Sequence, residues 1–340
     1  MRSCQTNPRV TSGRTILFSV IIPALNEESV IGRCLEALER NNFPRDSFEV
    51  IVVDNGSEDR TVETALGSNT VLSLRVLRLK GAHISALRNY GASESKGEIL
   101  AFLDADCLTP ADWLSEANRI FEDTSQGIIG AHYQIPGDAT WVGRTWCQDR
   151  MSDRVGPVSY VPSGDLFIRR ELFVSVGGFD ESIQTNEDSE LCQRIIWAGW
   201  PVRACPELRV IHLGTPRTLL GFFRKQRWHG THVFTVFLRD PKKRMNIKPV
   251  ILSIYTLGCL AGLLGGAIWG IIGAGWGPLG FFLFILLAPL LIIAIERSAR
   301  TQNWNLAPQL FALYVAFGIA RATCLLRPGT WTGSRRCASG

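Results

Sequence analysis

The C-terminal part of this 340-residue chain carries very few charges, and this break in composition constrains the fold more than any other feature. Before the break, charged and apolar residues are mixed. From Pro249 onward, the ionised side chains before the last few residues are Glu296, Arg297, Arg300, Arg321 and Arg327. A helix that crosses a bilayer needs roughly 20 predominantly apolar residues. We therefore predict a soluble part up to about residue 248 and a membrane part after it.

Three apolar segments of the membrane part are candidate spans. Residues 250–272 and 279–295 are predicted to cross as a hairpin joined by a glycine-rich turn. Residues 306–326 are interrupted by a proline, a glutamine and an arginine, and they either cross or lie at the membrane surface. The positive-inside rule keeps the flanking basic residues in the cytoplasm. These residues are Arg239, Lys242, Lys243, Arg244 and Lys248 before the first span, and Arg297 and Arg300 after the second.

Three further features predict the compartment. The first residues, MRSCQTNPRV, contain no apolar core of a signal peptide, so we expect the soluble part in the cytoplasm. The nine cysteines are scattered without a Cys-x-x-Cys pair, which favours a reducing compartment. The net charge of +5 is modest and lies largely near the membrane segments, which favours contact with anionic lipid rather than nucleic acid. We expect a multi-pass protein of the inner, cytoplasmic membrane.

Short apolar runs alternate with helical patterns in the soluble part. Predicted strands cover 18–22, 50–53, 76–79 and 99–103, and predicted helices cover 27–40, 61–66 and 83–93. This alternation predicts an α/β fold with a mostly parallel sheet covered on both faces. Asn26 is a candidate N-cap of the first helix. Pro23, Asp54 and Asp104 end strands, and ligands of such sheets bind at the carboxyl ends of the strands.

The region after the last of these strands is less regular. We predict a helix at 141–155, a strand at 166–169 and a helix at 188–198, which would form the acceptor side of a cleft. Residues 219–237 mix basic and aromatic side chains and are predicted to be amphipathic at the membrane surface. The resulting domains are a tail (1–17), a catalytic domain (18–215), an interfacial segment (216–248) and a transmembrane region (249–327).

Two carboxylates follow the strand at 99–103. Asp104 and Asp106, two residues apart, can hold a divalent ion against a diphosphate, and hard oxygen ligands suit Mg²⁺ or Mn²⁺. The structural alternative is that these acids cap the helix that begins near Pro110. His212 is a candidate to complete the metal site, although a lone histidine is more often structural.

Other polar residues have both a chemical and a structural interpretation. Asp54 can accept a hydrogen bond from a nucleobase, or it can belong to the Asn-Gly turn that follows it. Asp188 can take a proton from an attacking hydroxyl, or Glu187 and Asp188 can complement a helix dipole. Arg88 can pair with diphosphate oxygens or remain solvated. The segment 227–229, Arg-Trp-His, can stack on a sugar, hold a phosphate or anchor the chain at the membrane.

Taken together, these segments resemble glycosyltransferase family 2, which has the GT-A fold. The resemblance covers roughly residues 18–212, in order. Its motifs are Val20–Glu28 (VIIPALNEE), Val52–Ser57 with Asp59 (VVDNGS), Gly81 with Ala86–Asn89 and Gly91 (ALRN), Gly97–Asp106 (GEILAFLDAD), Phe167–Asp180 ending in GGFD, and the pair Glu187-Asp188.

The resemblance implies inverting sugar transfer from a nucleotide diphosphate sugar, expected to be a UDP-sugar. It implies that Asp54 contacts the base, Asp104 the ribose or the metal, Asp106 the metal and Arg88 the diphosphate, with Asp188 as the general base. Donor-binding positions carried over from the family's motifs are Pro23, Ala24, Leu25, Glu27, Asp54, Gly81, Arg88, Asp104 and Ala105. Metal-binding candidates are Asp104, Asp106 and His212.

Two departures argue against a processive polysaccharide synthase. Those members of the family carry Gln-x-x-Arg-Trp, whereas Arg224 replaces the glutamine here, before Arg227 and Trp228. Two or three membrane segments are also few for a polymer channel. We expect transfer of one sugar to a lipid-linked or glycan acceptor at the cytoplasmic membrane face, in cell-envelope polysaccharide or glycolipid synthesis. The alternatives are a membrane-associated nucleotidyltransferase, which releases pyrophosphate, and a non-catalytic scaffold that binds sugar nucleotides.

Overall fold

The chain divides into two compact units. The computed structural model describes residues 4–6, 16–67, 71–150, 155–183, 185–230, 244–273 and 275–326. Unit 1 comprises residues 1–136 and 151–214, and unit 2 comprises 137–150 and 215–340. One boundary between the units lies at 214/215, and the catalytic domain expected from the sequence ends at residue 215 and stays a prediction. The assignment of 137–150 to unit 2 had no signal in the sequence.

All described strands belong to unit 1. They are β1 (Cys4–Thr6), β2 (Phe18–Ala24), β3 (Phe48–Asp54), β4 (Leu74–Arg78), β5 (Ile99–Leu103), β6 (Cys107–Leu108), β7 (Ile128–Gly130), β8 (Gly156–Pro157), β9 (Asp165–Arg169), β10 (Val202–Ala204) and β11 (Ile211–His212). The helices of both units, in chain order, are α1 (Ile31–Glu39), α2 (Thr61–Gly67), α3 (Ile84–Ser93), α4 (Trp113–Phe121), α5 (Trp141–Arg150), α6 (Arg170–Ser175), α7 (Glu187–Trp197), α8 (Leu219–His229), α9 (Arg244–Ile271), α10 (Gly277–Arg300) and α11 (Leu306–Cys324).

The main sheet of unit 1 is mixed. Its order is β1-β4-β3-β2-β5-β9-β7-β10-β8. The four strands β4, β3, β2 and β5 are parallel, as predicted. Beyond them, β9 runs antiparallel to both β5 and β7. Because β2 and β3 pair with Ala24 opposite Asp54, and β5 runs parallel to β2, the carboxyl ends of these strands share one edge.

Both faces of the sheet are covered by helices. Every residue of β2, β3 and β5 is buried, which explains their continuous apolar sequences. One face packs on α1 and α4, through residues such as Leu35 and Trp113. The other packs on α3 and α7, through residues such as Leu87 and Leu191. Burial of each apolar side chain of this size stabilises the fold by about 1.5–3 kcal/mol. The strand ends that carry Asp54 and Asp104 are therefore held by a well-packed core.

The prediction for the start of the first helix was wrong. Asn26 has a left-handed backbone (φ 56°), and α1 begins five residues later, with Val30 at the N-cap position. The Asn26 side-chain oxygen accepts a hydrogen bond from the backbone N–H of Glu58, and the backbone N–H of Asn26 donates to the Ser57 hydroxyl. Asn26 therefore joins the loop after β2 to the loop after β3, and this contact with a distant loop takes the place of a helix cap.

A small two-stranded ribbon lies beside the main sheet. β6 and β11 pair antiparallel, with His212 opposite Cys107. The N–H of Leu213 also donates to the backbone oxygen of Asp106 at 2.8 Å. This ribbon brings His212 next to the acids that follow β5, although more than a hundred residues separate them in sequence.

Unit 2 contains three helices that are long and apolar enough to cross a membrane: Val250–Ile271, Gly277–Arg300 and Leu306–Cys324. In the most apolar 18-residue stretch of the third helix, α11, 39% is buried within the protein, against 22% and 17% for the other two helices. Its polar residues have protein partners: Gln309 accepts a hydrogen bond from Thr145, and Arg321 donates to Gln226 at 3.4 Å. Contacts with protein thus account for the glutamine and the arginine that interrupt the third apolar segment.

Two shorter helices, α5 and α8, pack on α11. Phe222 of α8 is buried with Val142 of α5 and Leu313 of α11, while Trp228 on α8 is 56% exposed. Tyr314 donates to Asp149 at 2.9 Å. The amphipathic segment predicted over 219–237 is described only as far as Gly230, and it is helical up to His229. Arg239, Lys242 and Lys243 lie outside the described residues, as do the side chains of Arg244 and Lys248, and so does Arg327.

Candidate active site

The loop after β5 places Asp106 beside His212. The Asp106 Oδ2 and His212 Nε2 atoms are 3.6 Å apart, and the His212 ring packs against Tyr133 with a centroid distance of 4.6 Å. The two side chains are 20% and 11% exposed, so both border solvent while remaining held by the fold. A carboxylate oxygen and an imidazole nitrogen at this separation can bind one divalent ion.

A third potential ligand, Cys107, was missed by the sequence analysis. Ligand atoms of Asp106, Cys107 and His212 all lie within 4.8 Å of one another. The Cys107 side chain is fully buried, and burial together with the charges of Asp104 and Asp106 raises its pKa well above the usual range. A thiol binds metal as the thiolate. In this structure the Cys107 side chain is enclosed, whereas Asp106 and His212 border solvent, so these two are the first candidates for ligands.

Asp104 faces a different set of groups from Asp106. Its Oδ1 accepts from Arg88 Nη2 at 2.8 Å, and its Oδ2 accepts from the Tyr133 hydroxyl at 3.4 Å. Neither acid caps the helix that follows, because α4 begins at Trp113 with Asp112 at the N-cap position. The capping alternative for Asp104 and Asp106 is therefore excluded. Asp106 and His212 form the candidate metal pair, and Asp104 is engaged elsewhere in this structure.

Arg88 is not on the surface of the site. It is 1% exposed, and its Nη1 donates to Glu187 Oε1 while its Nη2 donates to Asp104, both at 2.8 Å. The solvated interpretation is thus wrong. The expected contact with a diphosphate has no support in this geometry either, since both Nη atoms already bind carboxylates.

The acid pair at the start of α7 comes next to this arginine. Asn186, in a left-handed conformation (φ 68°), precedes the helix. Glu187 turns inward to Arg88 and also accepts from Ser163 at 3.2 Å. Asp188 accepts from the N–H of Ser189 at 2.7 Å. Burial and the negative charge of Glu187 raise the pKa of Asp188 to about 7, which is the range suited to a general base at neutral pH.

Asp54 is fully buried at the end of β3. Its carboxylate accepts from the backbone N–H groups of Gly56 and Ser57, both at 3.0 Å, and from Arg78 Nε at 3.2 Å. The turn interpretation is therefore confirmed. Contact with a nucleobase stays a prediction.

The other donor-binding candidates lie around the same edge of the sheet. Pro23, Ala24 and Ala105 are buried, while Leu25 is 47% exposed. The backbone N–H of Glu27 donates to Thr61 at 2.7 Å, and Gly81 has a positive φ of 75°. These positions are compatible with a nucleotide loop, and their roles remain predictions.

The surroundings of Asp106 fit a bound cation. A Cβ added at Gly214 would lie 2.1 Å from Asp106 Oδ2 and 2.8 Å from His212 Cε1, so glycine keeps open the space beside the Asp106 carboxylate and the His212 ring. An oxygen and a nitrogen donor together suit Mn²⁺, and Mg²⁺ less well. The residues that would hold the ion are Asp106 and His212.

We expect Gly214→Ala to weaken Mn²⁺ binding about 10-fold or more, in the range found when groups that support metal ligands are changed. The added methyl group collides with Asp106 Oδ2, and the backbone at this position has an ordinary φ. Gly67→Ala is the matched control, because a Cβ at Gly67 meets nothing within 4 Å among the residues that the structure describes. Mn²⁺ titration monitored by electron paramagnetic resonance measures the affinity. Equal affinities in the two variants would exclude Asp106 as a ligand.

Comparison with known proteins identifies the family. The family model "Glycosyl transferase family group 2" matches residues 99–319, which is more than half of the chain. The chain is a family 2 glycosyltransferase. The model "Glycosyl transferase family 2" also matches residues 19–177, the part that contains the strand-end acids.

Two curated relatives are similar in sequence. The glycosyltransferase AglE of Haloferax volcanii is 30% identical over 206 residues, covering 58% of this chain and 67% of the relative. The pre-mycofactocin glycosyltransferase of Mycobacterium tuberculosis is 29% identical over 312 residues, covering 87% of this chain and 62% of the relative. This chain therefore spans about two thirds of the length of each relative.

A solved structure shares the fold. The mannosyltransferase PcManGT from Pyrobaculum calidifontis, in complex with GDP-Man and Mn²⁺, superposes with a TM-score of 0.59 at 20% identity, covering 91% of this chain and 86% of that one. This match confirms the GT-A fold. The family match makes the chain a glycosyltransferase, and three of its helices are long and apolar enough to cross a membrane.

Proposed function

We propose that this glycosyltransferase moves one sugar from a nucleotide diphosphate sugar, with inversion, to a lipid-linked or glycan acceptor at the cytoplasmic face of the inner membrane. The observation that carries the proposal is the grouping of Asp104, Asp106 and His212 at one sheet edge with the Glu187-Asp188 pair. The GDP-Man and Mn²⁺ bound to the structural neighbour support a donor and ion of this kind.

Asp188 acts as the general base in this proposal. Its pKa of about 7 means that a substantial fraction is ionised at neutral pH, so the carboxylate can accept the proton of an acceptor hydroxyl as the hydroxyl attacks. Removal of this proton by a positioned base contributes roughly 10²- to 10⁴-fold to a rate. Inversion follows from a single direct displacement at the anomeric carbon.

Asp106 and His212 hold a divalent ion, which when bound offsets the charge of the departing nucleoside diphosphate. Asp54 lies at the end of the neighbouring strand and is proposed to contact the nucleobase. Pairing of β6 with β11 holds Asp106 and His212 next to each other. The metal ligands are therefore already oriented when the diphosphate binds. A UDP-sugar is the first donor to test, and GDP-mannose the second.

Purified full-length protein should release a nucleoside diphosphate from one member of a panel of nucleotide sugars in the presence of Mn²⁺. UDP-glucose, UDP-N-acetylglucosamine, UDP-galactose and GDP-mannose form the first panel. A nucleotidyltransferase would instead form pyrophosphate from a nucleoside triphosphate and a sugar phosphate. A scaffold would bind a sugar nucleotide without turnover. Release of pyrophosphate, or binding without any turnover, would replace the proposed activity.

The proposed topology predicts which positions a membrane-impermeant thiol reagent reaches in intact cells. With the nine natural cysteines removed, a cysteine at Thr124 or Asn305 should resist the reagent until lysis, while one at Gly277 should label from outside. All three positions are exposed. The reason is the positive-inside rule applied to the basic residues on either side of the first two spans.

A cysteine at Leu326, which is 67% exposed, tests whether α11 crosses. Labelling from outside means three crossings, and protection means that α11 remains at the cytoplasmic interface. Labelling at Thr124 combined with protection at Gly277 would invert the topology and contradict a cytoplasmic donor.

A further inference from the structure

Arg88 joins two parts of the site that are far apart in the sequence, the loop after β5 and the start of α7. Its Nη2 donates to Asp104 at the end of β5, and its Nη1 donates to Glu187 at the start of α7. Asp104 lies two residues before the candidate metal ligand Asp106, and Glu187 lies directly before the candidate base Asp188. One planar guanidinium thus connects the metal side of the site to the base side.

The guanidinium is fixed by its surroundings. It is 1% exposed and lies over the ring of Phe179 at 5.6 Å. Burying a charge is costly unless it is paired and hydrogen-bonded, and here two carboxylates supply the pairing. Arg88 Nε has no hydrogen-bond partner among the described residues, which leaves the two Nη contacts as the bonds that hold the group.

Each of the two carboxylates has a further hydrogen-bond partner besides Arg88. Glu187 Oε1 also accepts from Ser163, and the second oxygen of Asp104 faces the Tyr133 hydroxyl. A Cβ at Gly164 would lie 2.2 Å from Asp104 Oδ2, so the backbone at Gly164 closes this side. Each acid therefore has a second contact besides the one to Arg88.

We propose that Arg88 is a positioning residue that sets the distance between the Asp104–Asp106 loop and the Glu187-Asp188 pair, rather than a contact for the donor diphosphate. The proposal rests on the proposed function, because it takes Asp188 as the base and Asp106 as a metal ligand. A lysine cannot replace it, since a single ammonium does not reproduce the flat fork that reaches two carboxylates in fixed directions.

The first test separates positioning from diphosphate binding in the full-length protein. We expect Arg88→Ala and Arg88→Lys to bind UDP or GDP, measured by calorimetry with Mn²⁺, within about threefold of the unaltered protein. Saturated donor hydrolysis should fall about 100-fold, the cost of a displacement near 1 Å. Nucleoside diphosphate affinity at least 10-fold weaker, with hydrolysis at saturation retained, would overturn the proposal and restore the diphosphate contact.

The second test does not depend on activity. Thermal unfolding of Arg88→Ala, Glu187→Gln and the double variant forms a cycle that measures the coupling of the two side chains. We expect Arg88→Ala to lower the midpoint by about 10 °C, and by clearly less once Glu187 is neutral. Additive shifts would overturn the bridge. If Arg88→Ala does not fold, Arg88→Lys takes its place in the cycle.

Arg170→Ala is the matched control for loss of a partly buried arginine. Arg170 donates to the backbone of Gly97 and Ala92 and to the Ser95 hydroxyl, away from the acids of the site. We expect this variant to be less stable and to keep its rate. A protein that binds no nucleotide and turns over no donor would defeat the proposed function, while the unfolding cycle would still decide whether Arg88 bridges the two acids.

Discussion

Asp188→Asn is expected to lower the rate of sugar transfer roughly 10²- to 10⁴-fold while donor affinity stays within about threefold. An amide has nearly the same shape as a carboxylate and keeps the hydrogen bond from Ser189, but it cannot accept the acceptor's proton. Single-turnover transfer and calorimetric donor binding measure the two effects separately. A collapse of donor affinity with the rate retained would make Asp188 a binding residue.

Glu190→Gln is the control for the helix-dipole interpretation. Glu190 also lies in the first turn of α7, but its carboxylate pairs with Arg194 at 2.6 Å and belongs to no group of the site. Loss of its charge should change the rate less than about twofold. If the two variants were equally slow, the acids would act through the helix and the role of base would be excluded. An acceptor phosphate, already ionised, would reduce the loss in Asp188→Asn.

The pH dependence of the unaltered enzyme provides an independent check of the same assignment. The pKa of Asp188 is raised to about 7 by burial and by Glu187. The base acts when ionised, so the rate at saturating donor should increase about tenfold per pH unit below the pKa and level off above it. Residual activity of Asp188→Asn should lack this acidic limb. A limb near pH 4 in the unaltered enzyme would mean that the base is a group with an ordinary carboxyl pKa.

The parts of this fold that were predicted from sequence are those with local signals. β2, β3 and β5 were recognised because their residues are apolar without interruption, as burial on both faces requires. The acids at Asp54, Asp104 and Asp106 were placed at strand ends for the same reason. The three long apolar helices needed only length and composition. In each case the signal lies within a few residues of the element that it predicts.

The parts that were missed depend on contacts between distant segments. Nothing near Arg88 in sequence shows that its partners are Asp104 and Glu187, the latter 99 residues away. α5 packs with the C-terminal helices through contacts between distant residues, such as the hydrogen bond between Thr145 and Gln309, separated by 164 residues. Asparagine is a common helix-capping residue, but the side chain of Asn26 binds the loop after β3 instead. A buried arginine between two acid motifs is a signal only once the fold is known.

Asp106→Ala is expected to reduce turnover at least 10³-fold and to abolish activation by Mn²⁺. A cation that offsets charge on a departing diphosphate contributes several kcal/mol to the transition state, and Asp106 is the carboxylate placed beside His212. The fold should survive, because Asp106 is partly exposed and its backbone oxygen still accepts from Leu213. Electron paramagnetic resonance measures the loss of Mn²⁺ binding, and thermal unfolding measures whether the fold survives. Neither measurement needs turnover.

Asp112→Ala is the matched control, since Asp112 is an exposed acid of the same loop region with no capping hydrogen bond to α4. It should leave both the rate and Mn²⁺ binding within about twofold. His212→Ala should weaken Mn²⁺ binding less than Asp106→Ala does, because a neutral imidazole contributes less attraction to a dication than a carboxylate. Full activity of the unaltered enzyme in excess chelator would remove the metal from the mechanism. Asp106 would then have to act on the donor by accepting hydrogen bonds, with the His212 ring beside its carboxylate.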